Sequence, residues 1–362
     1  HCKHRESGKI RSRQMLFPPL QLSSTDMGSS STKKTADSST TTASSSDDTS
    51  SQSRGALIRQ LQQRRRQQQE STFEWIQLGD DIDGEAEDNW SGFAVAMSED
   101  GSRIAIGALG NDSENGVGTG HVRIYEWNGR IWTQMGSDIN GETEGDQSGW
   151  SVAMSDQGSR IAVGAPTSGG DAATSSGKVR IYEWNGVAWM QLGGNIDGEA
   201  LGDQSGTSVA LNDEGSRIAI GSPFNDRNGN DSGNVRIYEW NGSTWVQMGS
   251  EIGGEAAGDR FGFSVAMSSE GSRIAIGAPY NDGNGSTSGH VRTFEWNSTA
   301  WIQVGSNIQG EAADDFSGWS VALNGEGSRI AVGARYNDGK GSASGHVRVF
   351  GLQRQEVVTT MV

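Results

Sequence analysis

The sequence predicts an all-β protein, a five-bladed β-propeller of four-stranded antiparallel blades, preceded by a disordered N-terminal tail. The prediction rests mainly on a repeated string, Gly-Ser-Arg-Ile-Ala-Ile/Val-Gly. It begins at Gly101, Gly158, Gly215, Gly271 and Gly327, so that a unit of 56 or 57 residues occurs five times. Each unit contains four short runs rich in β-branched and aromatic residues, bounded by Gly, Asn and Asp. Four strands in about 56 residues are the size of one propeller blade.

The four predicted strands follow one another with turns that suit a meander. Strand one resembles Ser-Val-Ala, strand two Arg-Ile-Ala-Ile-Gly, strand three Val-Arg-Ile-Tyr-Glu-Trp and strand four Trp-x-Gln-x-Gly. Dipeptides such as Glu270-Gly271 join strands one and two, and Asn128-Gly129 and its counterparts join strands three and four. Both provide the positive φ of a tight hairpin. One face of the second strand carries only small residues, such as Ala105 and Gly107, which predicts close packing of neighbouring sheets.

The chain ends predict how the ring would close. The last unit lacks a fourth strand, whereas an unpaired one stands at 75–79, before the first unit. We therefore expect residues 75–79 to pair with the sheet that ends at Phe350, because this pairing removes exposed edges. Two alternatives remain open: the tail at 356–362 supplies that strand, or the chain is part of a larger ring.

Charge divides the chain into segments. The formal charge of the 362 residues is −16, yet residues 1–70 carry 12 Lys plus Arg against 6 Asp plus Glu. This stretch is rich in Ser, Thr and Gln and has too little apolar surface to offset the entropy of ordering. We predict a disordered basic tail at 1–70, the propeller at 73–350 and a C-terminal tail at 351–362.

Composition also excludes several classes of protein. With 33% hydrophobic residues, the chain has no apolar run of about 18 residues, so no transmembrane segment is expected. A single cysteine, Cys2, excludes a disulfide framework and a cysteine-based zinc site. No Gly-x-Ser-x-Gly or His-Glu-x-x-His motif is present, which argues, weakly, against an enzyme.

The long connections carry the candidate ligand-binding residues. In a meander the turns between strands one and two and between three and four share one edge, and the longer connections share the other. The longer ones are acidic, which favours cations or basic partners and disfavours nucleic acid at the propeller. The candidate residues there are Asn111, Asp112, Asn225, Asp226, Arg227, Asn281, Asp282, Arg335, Asn337 and Asp338. In the alternative interpretation, these repeated Asn and Asp residues cap turns.

Other polar residues recur at equivalent positions. His121, His290 and His346 precede strand three, and we expect them to be surface residues on separate blades rather than one shared metal site. The arginines at positions such as Arg273 and Arg292 are expected to pair with loop carboxylates.

The unit resembles the FG-GAP repeat of integrin α-chain-like β-propellers. The resemblance rests on Phe-Gly-Phe-Ser-Val-Ala at 261–266, Ile-Ala-Ile-Gly-Ala-Pro at 274–279 and Gly-His-Val at 289–291, and it covers residues 73–350. WD-type propellers are similar only through Tyr-Glu-Trp and Glu-Gly-Ser-Arg. The resemblance implies a propeller with adhesion or partner recognition on its long-loop face.

The resemblance suggests calcium as a cofactor. FG-GAP repeats often bind it through an Asp-rich loop between the first two strands, but here that connection is only Ser-Ser-Glu-Gly at 268–271 and its counterparts. These residues offer too few oxygen ligands for the six to eight that calcium takes. We therefore expect no cofactor, and the loop at 281–285 is the alternative place for a cation.

These observations favour a non-catalytic recognition or adhesion propeller that binds a protein or glycan through an acidic long-loop face. One alternative is a propeller enzyme, a hydrolase or lyase acting on polysaccharide with paired carboxylates. The other is a purely structural module. Sequons such as Asn284-Gly285-Ser286 fit an extracellular location. The oligomeric state is left open.

Overall fold

The computed structural model describes Gln60 and residues 74–169 and 175–353. Every regular element in the two long ranges is a β-strand, which confirms the all-β prediction. Apart from Gln60, the predicted basic tail at 1–70 lies outside the described residues, and so do residues 354–362.

The strands form five successive antiparallel sheets. The first sheet contains β1 (Ser91–Met97), β2 (Arg103–Ala108), β3 (His121–Trp127), β4 (Trp132–Gln134) and β5 (Ile139–Asn140). The second contains β6 (Ser151–Met154), β7 (Arg160–Ala165), β8 (Lys178–Trp184), β9 (Trp189–Gln191) and β10 (Ile196–Asp197). The third contains β11 (Ser208–Leu211), β12 (Arg217–Ser222), β13 (Asn234–Trp240), β14 (Trp245–Gln247) and β15 (Ile252–Gly253). The fourth contains β16 (Ser264–Met267), β17 (Arg273–Ala278), β18 (His290–Trp296), β19 (Trp301–Gln303) and β20 (Ile308–Gln309). The fifth contains β21 (Ser317–Leu323), β22 (Arg329–Ala334) and β23 (His346–Gly351).

Each of the first four sheets has four strand positions, as predicted, but the outer position is divided. In the third sheet, β14 pairs with the end of β13 through Tyr238 and Gln247, and β15 pairs with its beginning through Val235 and Ile252. The residues between β14 and β15 include Gly249, whose φ is 70°. The outer edge therefore bulges away from the ladder and then rejoins it. Four sheets of this blade type, followed by a fifth sheet of three strands, confirm the predicted propeller fold class.

The expected pairing of residues 75–79 with the last sheet is wrong for the described residues. The fifth sheet has three strands, and no strand forms at 75–79. Instead, the carbonyl oxygen of Leu78 accepts a 2.9 Å hydrogen bond from Nε1 of Trp132 in the first sheet. Met135 makes the same contact with Trp189 one sheet later, at 3.0 Å. Residues 76–79 thus lie on the first sheet as the outer strand of a preceding sheet would.

The core lies between successive sheets. Ile218 and Ile220 of β12 are fully buried against Val179 and Ile181 of β8. Among the described residues, no sheet covers the outer faces of the first and fifth sheets, so that Val347 of β23 is 67% exposed whereas its counterparts in the other sheets are 0% exposed. Apolar side chains on the end faces are consequently in contact with solvent.

Small residues on the second strands let the sheets approach closely, as predicted. A Cβ on Gly221 would lie 2.0 Å from the carbonyl oxygen of Gly262 in the next sheet, and one on Gly164 would lie 2.2 Å from that of Gly206. These distances are far below van der Waals contact, so only glycine fits.

The connections separate onto two edges. On the edge with the tight turns, called here the short-loop rim, the amide of Glu99 donates to the carbonyl of Asp156 and the amide of Asp156 donates to that of Asp213. On the opposite edge, the long-loop rim, Gly120 and Ser148 of neighbouring repeats form a parallel bridge. In the two described ranges, no helix has the length and apolarity to cross a bilayer.

Candidate functional site

The asparagines predicted as ligand residues are buried in the long-loop rim. Asn111, Asn225, Asn281 and Asn337 are 5% to 7% exposed. Nδ2 of Asn225 donates a 3.0 Å hydrogen bond to Asp203, and Nδ2 of Asn337 donates to both carboxylate oxygens of Asp315 at 3.1 Å. In both repeats the amide therefore ties one long connection to the next and is turned away from solvent.

The neighbouring aspartates are exposed and organise their own loops. One carboxylate oxygen accepts a backbone N–H at 2.7 to 2.8 Å in every case. The pairs are Asp112 with Gly118, Asp226 with Asp231, Asp282 with Thr287, and Asp338 with Ala343. This is the turn-capping role that the sequence left open as the alternative.

The aspartates of the connections between sheets are also structural. Asp146, Asp203, Asp259 and Asp315 are 1% to 3% exposed. Asp146 accepts the amides of Glu142 and Thr143 at 2.9 and 3.0 Å. Because these carboxylates are buried and hydrogen-bonded, they are not available for direct contact with a partner.

The repeated arginines divide into two roles. Arg292 on the third strand lies 3.5 Å from the loop carboxylate of Glu255, as expected. Arg273 on the second strand instead pairs with Glu295 on the adjacent strand at 3.2 Å, so the prediction of a loop partner is wrong for this arginine. Residues 273 and 295 are directly opposite each other in the β17–β18 register, which explains the pairing.

The two candidate arginines both have partners. Arg227 forms an ion pair with Glu251, whose side chain is 6% exposed. The guanidinium of Arg335 lies 3.7 Å from the ring centre of Trp319 and 4.3 Å from that of Tyr336. Arg335 thus belongs to an aromatic cluster rather than to the polar loop in which the sequence placed it.

That cluster extends over the long-loop rim of the third, fourth and fifth sheets. We call it the aromatic–arginine surface, and its residues are Phe224, Arg260, Phe263, Tyr280, Phe316, Trp319, Arg335 and Tyr336. The aromatic side chains are half-buried, except for Tyr336, which is 40% exposed.

Ring contacts make this surface continuous from sheet to sheet. Arg260 lies over the rings of Phe224 and Tyr280, at 4.7 and 4.3 Å. Phe316 meets Tyr280 and Tyr336, each at 5.2 Å between ring centres. Stacked guanidinium and aromatic groups of this kind attract each other and hold the side chains in fixed positions.

Sequence reasoning did not predict the aromatic–arginine surface, although a signal was present. Arg260 and Phe316 occupy one repeat position, directly after the buried aspartate, and Trp90 occupies it in the first copy. All three have positive φ, at 51°, 54° and 54°. Bulky residues rarely adopt this conformation, and it is found mostly where the surroundings fix it.

The histidines differ from their expected surface position. His121 and His290 are 1% and 0% exposed, because β5 and β20 cover the start of the third strand. Burial lowers the pKa of both imidazoles, and the carboxylates of Asp138 and Glu85 act in the opposite direction at His121. Burial therefore favours the neutral form of both imidazoles.

The short-loop rim carries a row of acidic side chains from equivalent turns. Partial desolvation, together with the neighbouring carboxylates of Asp213 and Glu99, raises the pKa of Asp156 to about 6. Such a shift marks a carboxylate that shares its surroundings with others of the same charge.

A family comparison matches two segments of the chain. A family model described as the FG-GAP repeat matches residues 253–294 and 309–350. A search of curated proteins finds no match to this chain.

Solved structures with limited similarity include two lactonases and a synthase. A putative 6-phosphogluconolactonase from Bacteroides uniformis has a TM-score of 0.49 at 12% identity, over 73% of this chain and 68% of the other. Hydrazine synthase from Kuenenia stuttgartiensis has a TM-score of 0.45 at 12% identity, over 71% and 70%. The periplasmic gluconolactonase of Pseudomonas aeruginosa has a TM-score of 0.44 at 12% identity, over 66% and 64%.

The matched segments contain the same strands that the earlier copies repeat in the same order. In the first of them, β17 pairs with β18 in the register that β12 and β13 have in the third sheet. Residues 253–294 and 309–350 therefore match the FG-GAP repeat, and they span strands of the fourth and fifth sheets of the propeller.

Proposed function

We propose that this chain is a non-catalytic recognition propeller that binds a partner protein through the long-loop rim. The aromatic–arginine surface carries the proposal. Trp, Tyr and Arg are the residue types that contribute most to protein interfaces. Here they lie side by side on a rigid sheet framework, which lowers the entropic cost of binding.

The chemistry of the surface favours an acidic partner segment. Arg335 covers the ring of Trp319, and Arg260 covers that of Tyr280, so these aromatic faces are already stacked. A stacked guanidinium keeps its N–H groups at the edge, where they can donate to a carboxylate. Binding of a glycan by stacking on the same rings would require the arginines to move away.

The acidic side chains of the long-loop rim are largely engaged within the rim itself. Asp203 and Asp315 use their carboxylates within the rim, and Asp226 uses one oxygen to cap its loop. The partner-facing part of sheets three to five is therefore better described by the aromatic–arginine surface than by the acidic residues around it.

A peptide library and a glycan array provide the test. The full chain is compared with a double variant, Arg260→Ala with Arg335→Ala, and with Gln147→Ala as a control at the repeat position of Arg260 in the second sheet. We expect peptides enriched in Asp and Glu to bind the wild type and the control at least about tenfold more tightly than the double variant. Absence of peptide enrichment, or equal binding by the double variant, would contradict the proposal.

The enzymatic alternative has one observation in its favour, the raised pKa of Asp156 beside Asp213. The two carboxylates come from equivalent turns of successive repeats, which is also what stacking of identical units produces. Hydrolysis of polysaccharide substrates by the wild type, lost in Asp156→Asn, would support the enzyme and replace the recognition proposal.

A further inference from the structure

We propose that Glu85, His121 and Asp138 form a binding site for a divalent transition-metal ion, with Zn²⁺ as the best fit. Glu85 precedes the first sheet, His121 begins β3, and Asp138 lies between β4 and β5. In the two described ranges, this is the one group of at least three such side chains whose ligand atoms all lie within 4.8 Å of one another.

One atom of each residue lies close to an atom of the other two. Nδ1 of His121 lies 3.9 Å from Oε2 of Glu85 and 3.8 Å from Oδ2 of Asp138. Tetrahedral ligands at about 2.0 Å from Zn²⁺ are separated by about 3.3 Å, so zinc binding would shorten each of these two distances by about half an ångström. The ligand atoms of all three residues lie within 4.8 Å of one another, so the carboxylates would also move towards each other.

His121 is the observation that distinguishes this site from an ordinary acidic cluster. The side chain is 1% exposed, and neither ring nitrogen has a hydrogen-bond partner. A buried polar atom without a partner is costly, and a metal ion bound to Nδ1 would satisfy one of the two nitrogens.

Each carboxylate is held in place through its other oxygen. Nη1 of Arg123 lies 3.6 Å from Oε1 of Glu85, and Nε2 of Gln134 donates a 2.6 Å hydrogen bond to Oδ1 of Asp138. Oε2 and Oδ2 are thereby left facing His121. Partners of this kind orient the ligands of metal sites. Glu85 and Asp138 are 46% and 28% exposed, which leaves room for a water as the fourth ligand.

Other copies of the repeat show which groups occupy the position equivalent to His121. In the second copy the equivalent of His121 is Lys178, and its ammonium group contacts Glu142, the equivalent of Glu85. The ammonium group of Lys178 therefore stands where the first copy has an imidazole between two carboxylates. In the fourth copy, His290 and Glu255 are kept, but the neutral Asn307 replaces the second carboxylate.

The ligand set selects the class of ion. One imidazole and two carboxylates suit Zn²⁺ and similar first-row ions, whereas Ca²⁺ takes six to eight oxygen ligands. The bound ion would connect the segment before β1 to the first sheet.

Calorimetric titration of the full chain with ZnCl₂ tests the site. His1, Cys2 and His4 are replaced by Ala, Ser and Ala in all samples, because imidazole and thiolate groups are zinc ligands in general. We expect one site per chain, with the affinity lowered at least about tenfold by Asp138→Asn or His121→Asn and unchanged by His290→Asn. Circular dichroism establishes that each variant is folded. No zinc binding, or binding that survives Asp138→Asn, overturns the proposal.

A variant designed to bind a second zinc ion provides a further test. Asn307→Asp gives the fourth copy the same three ligand types as the first, so the stoichiometry should rise from one to two. The visible spectrum of the Co²⁺-loaded protein should double in intensity per chain at the same time. A stoichiometry that stays at one contradicts the claim that these three ligands are sufficient.

Discussion

The indole Nε1 of Trp189 donates a 3.0 Å hydrogen bond to the carbonyl oxygen of Met135 in the preceding sheet. Trp245 makes the equivalent bond to Leu192 at 2.8 Å, and Trp301 to Met248 at 3.1 Å. These bonds tie the outer strands of adjacent sheets together, in addition to the burial of the indole rings. They explain why the fourth strand can be only three residues long.

Replacing Trp189 tests the contribution of this bond. Trp189→Phe keeps an aromatic ring but leaves the Met135 carbonyl without its donor, so we expect a loss of about 1 to 3 kcal/mol in the free energy of unfolding. Urea titration measures it. Trp132→Phe is the matched control, because its bond to Leu78 is exposed and should cost less than about 1 kcal/mol. Equal losses at the two positions would contradict this explanation.

Glycine at the sheet interface should be irreplaceable where a neighbouring sheet is present. In Gly221→Ala the new Cβ would lie 2.0 Å from the Gly262 carbonyl, and we expect a loss of at least about 2 kcal/mol in unfolding free energy. Gly333→Ala in the fifth sheet meets only the side chain and carbonyl of Ser320. Its loss should be clearly smaller, and the opposite order in a thermal unfolding assay would refute the role of close approach.

The sequence predicted the sheets well because each strand pair is local and its turn is encoded by neighbouring residues. Met267 and Ile274 pair across a short turn at Gly271, and this pairing needs no information from elsewhere in the chain. The position of residues 75–79 could not be predicted in the same way. They had two comparable places to lie, on the first sheet or on β23, and a repeat pattern does not distinguish them.

The candidate site was predicted less well, because it depends on which way neighbouring side chains point and on contacts between residues that are far apart in the sequence. Asn225 and Asp226 are adjacent in sequence, yet one is buried and the other is exposed, because the loop turns between them. Arg260 and Phe316 both contact Tyr280 from different repeats. Such contacts follow from how neighbouring sheets are placed, which composition and spacing do not provide.

Asp156 predicts a pH dependence of stability. Its pKa is raised from 3.8 to about 6 in the folded chain, so folding favours the protonated form. The stabilisation is complete below pH 3.8 and is lost as pH rises through about 6. We expect Asp156→Asn to unfold at a higher temperature than the wild type at pH 7.5, and the difference to disappear near pH 4. A difference that is constant with pH would contradict the assignment.

Asp100 has the opposite sign and serves as a control on the same rim. The backbone N–H of Ser102, and then the hydroxyls of Ser102 and Ser98, hold the pKa of Asp100 at about 2. Its stabilising effect is present above pH 3.8 and is lost as pH falls through about 2. Asp100→Asn should therefore unfold at a lower temperature than the wild type at pH 7.5. An increase in the unfolding temperature would refute this sign.

Replacing valine by threonine should lower the free energy of unfolding by different amounts at two equivalent positions, one between sheets and one on an end face of the row of sheets. Val291 in β18 is 0% exposed, whereas Val347 in β23 is 67% exposed. Val291→Thr places a hydroxyl between two sheets. We expect it to lower the free energy of unfolding by about 1 to 3 kcal/mol, because the buried hydroxyl lacks a hydrogen-bond partner. The same change at residue 347 should cost less than about 0.5 kcal/mol, since a solvated hydroxyl is not penalised. Urea titration of both variants measures the difference. Equal, large losses would mean that the outer face of β23 is covered in solution, as in a closed ring.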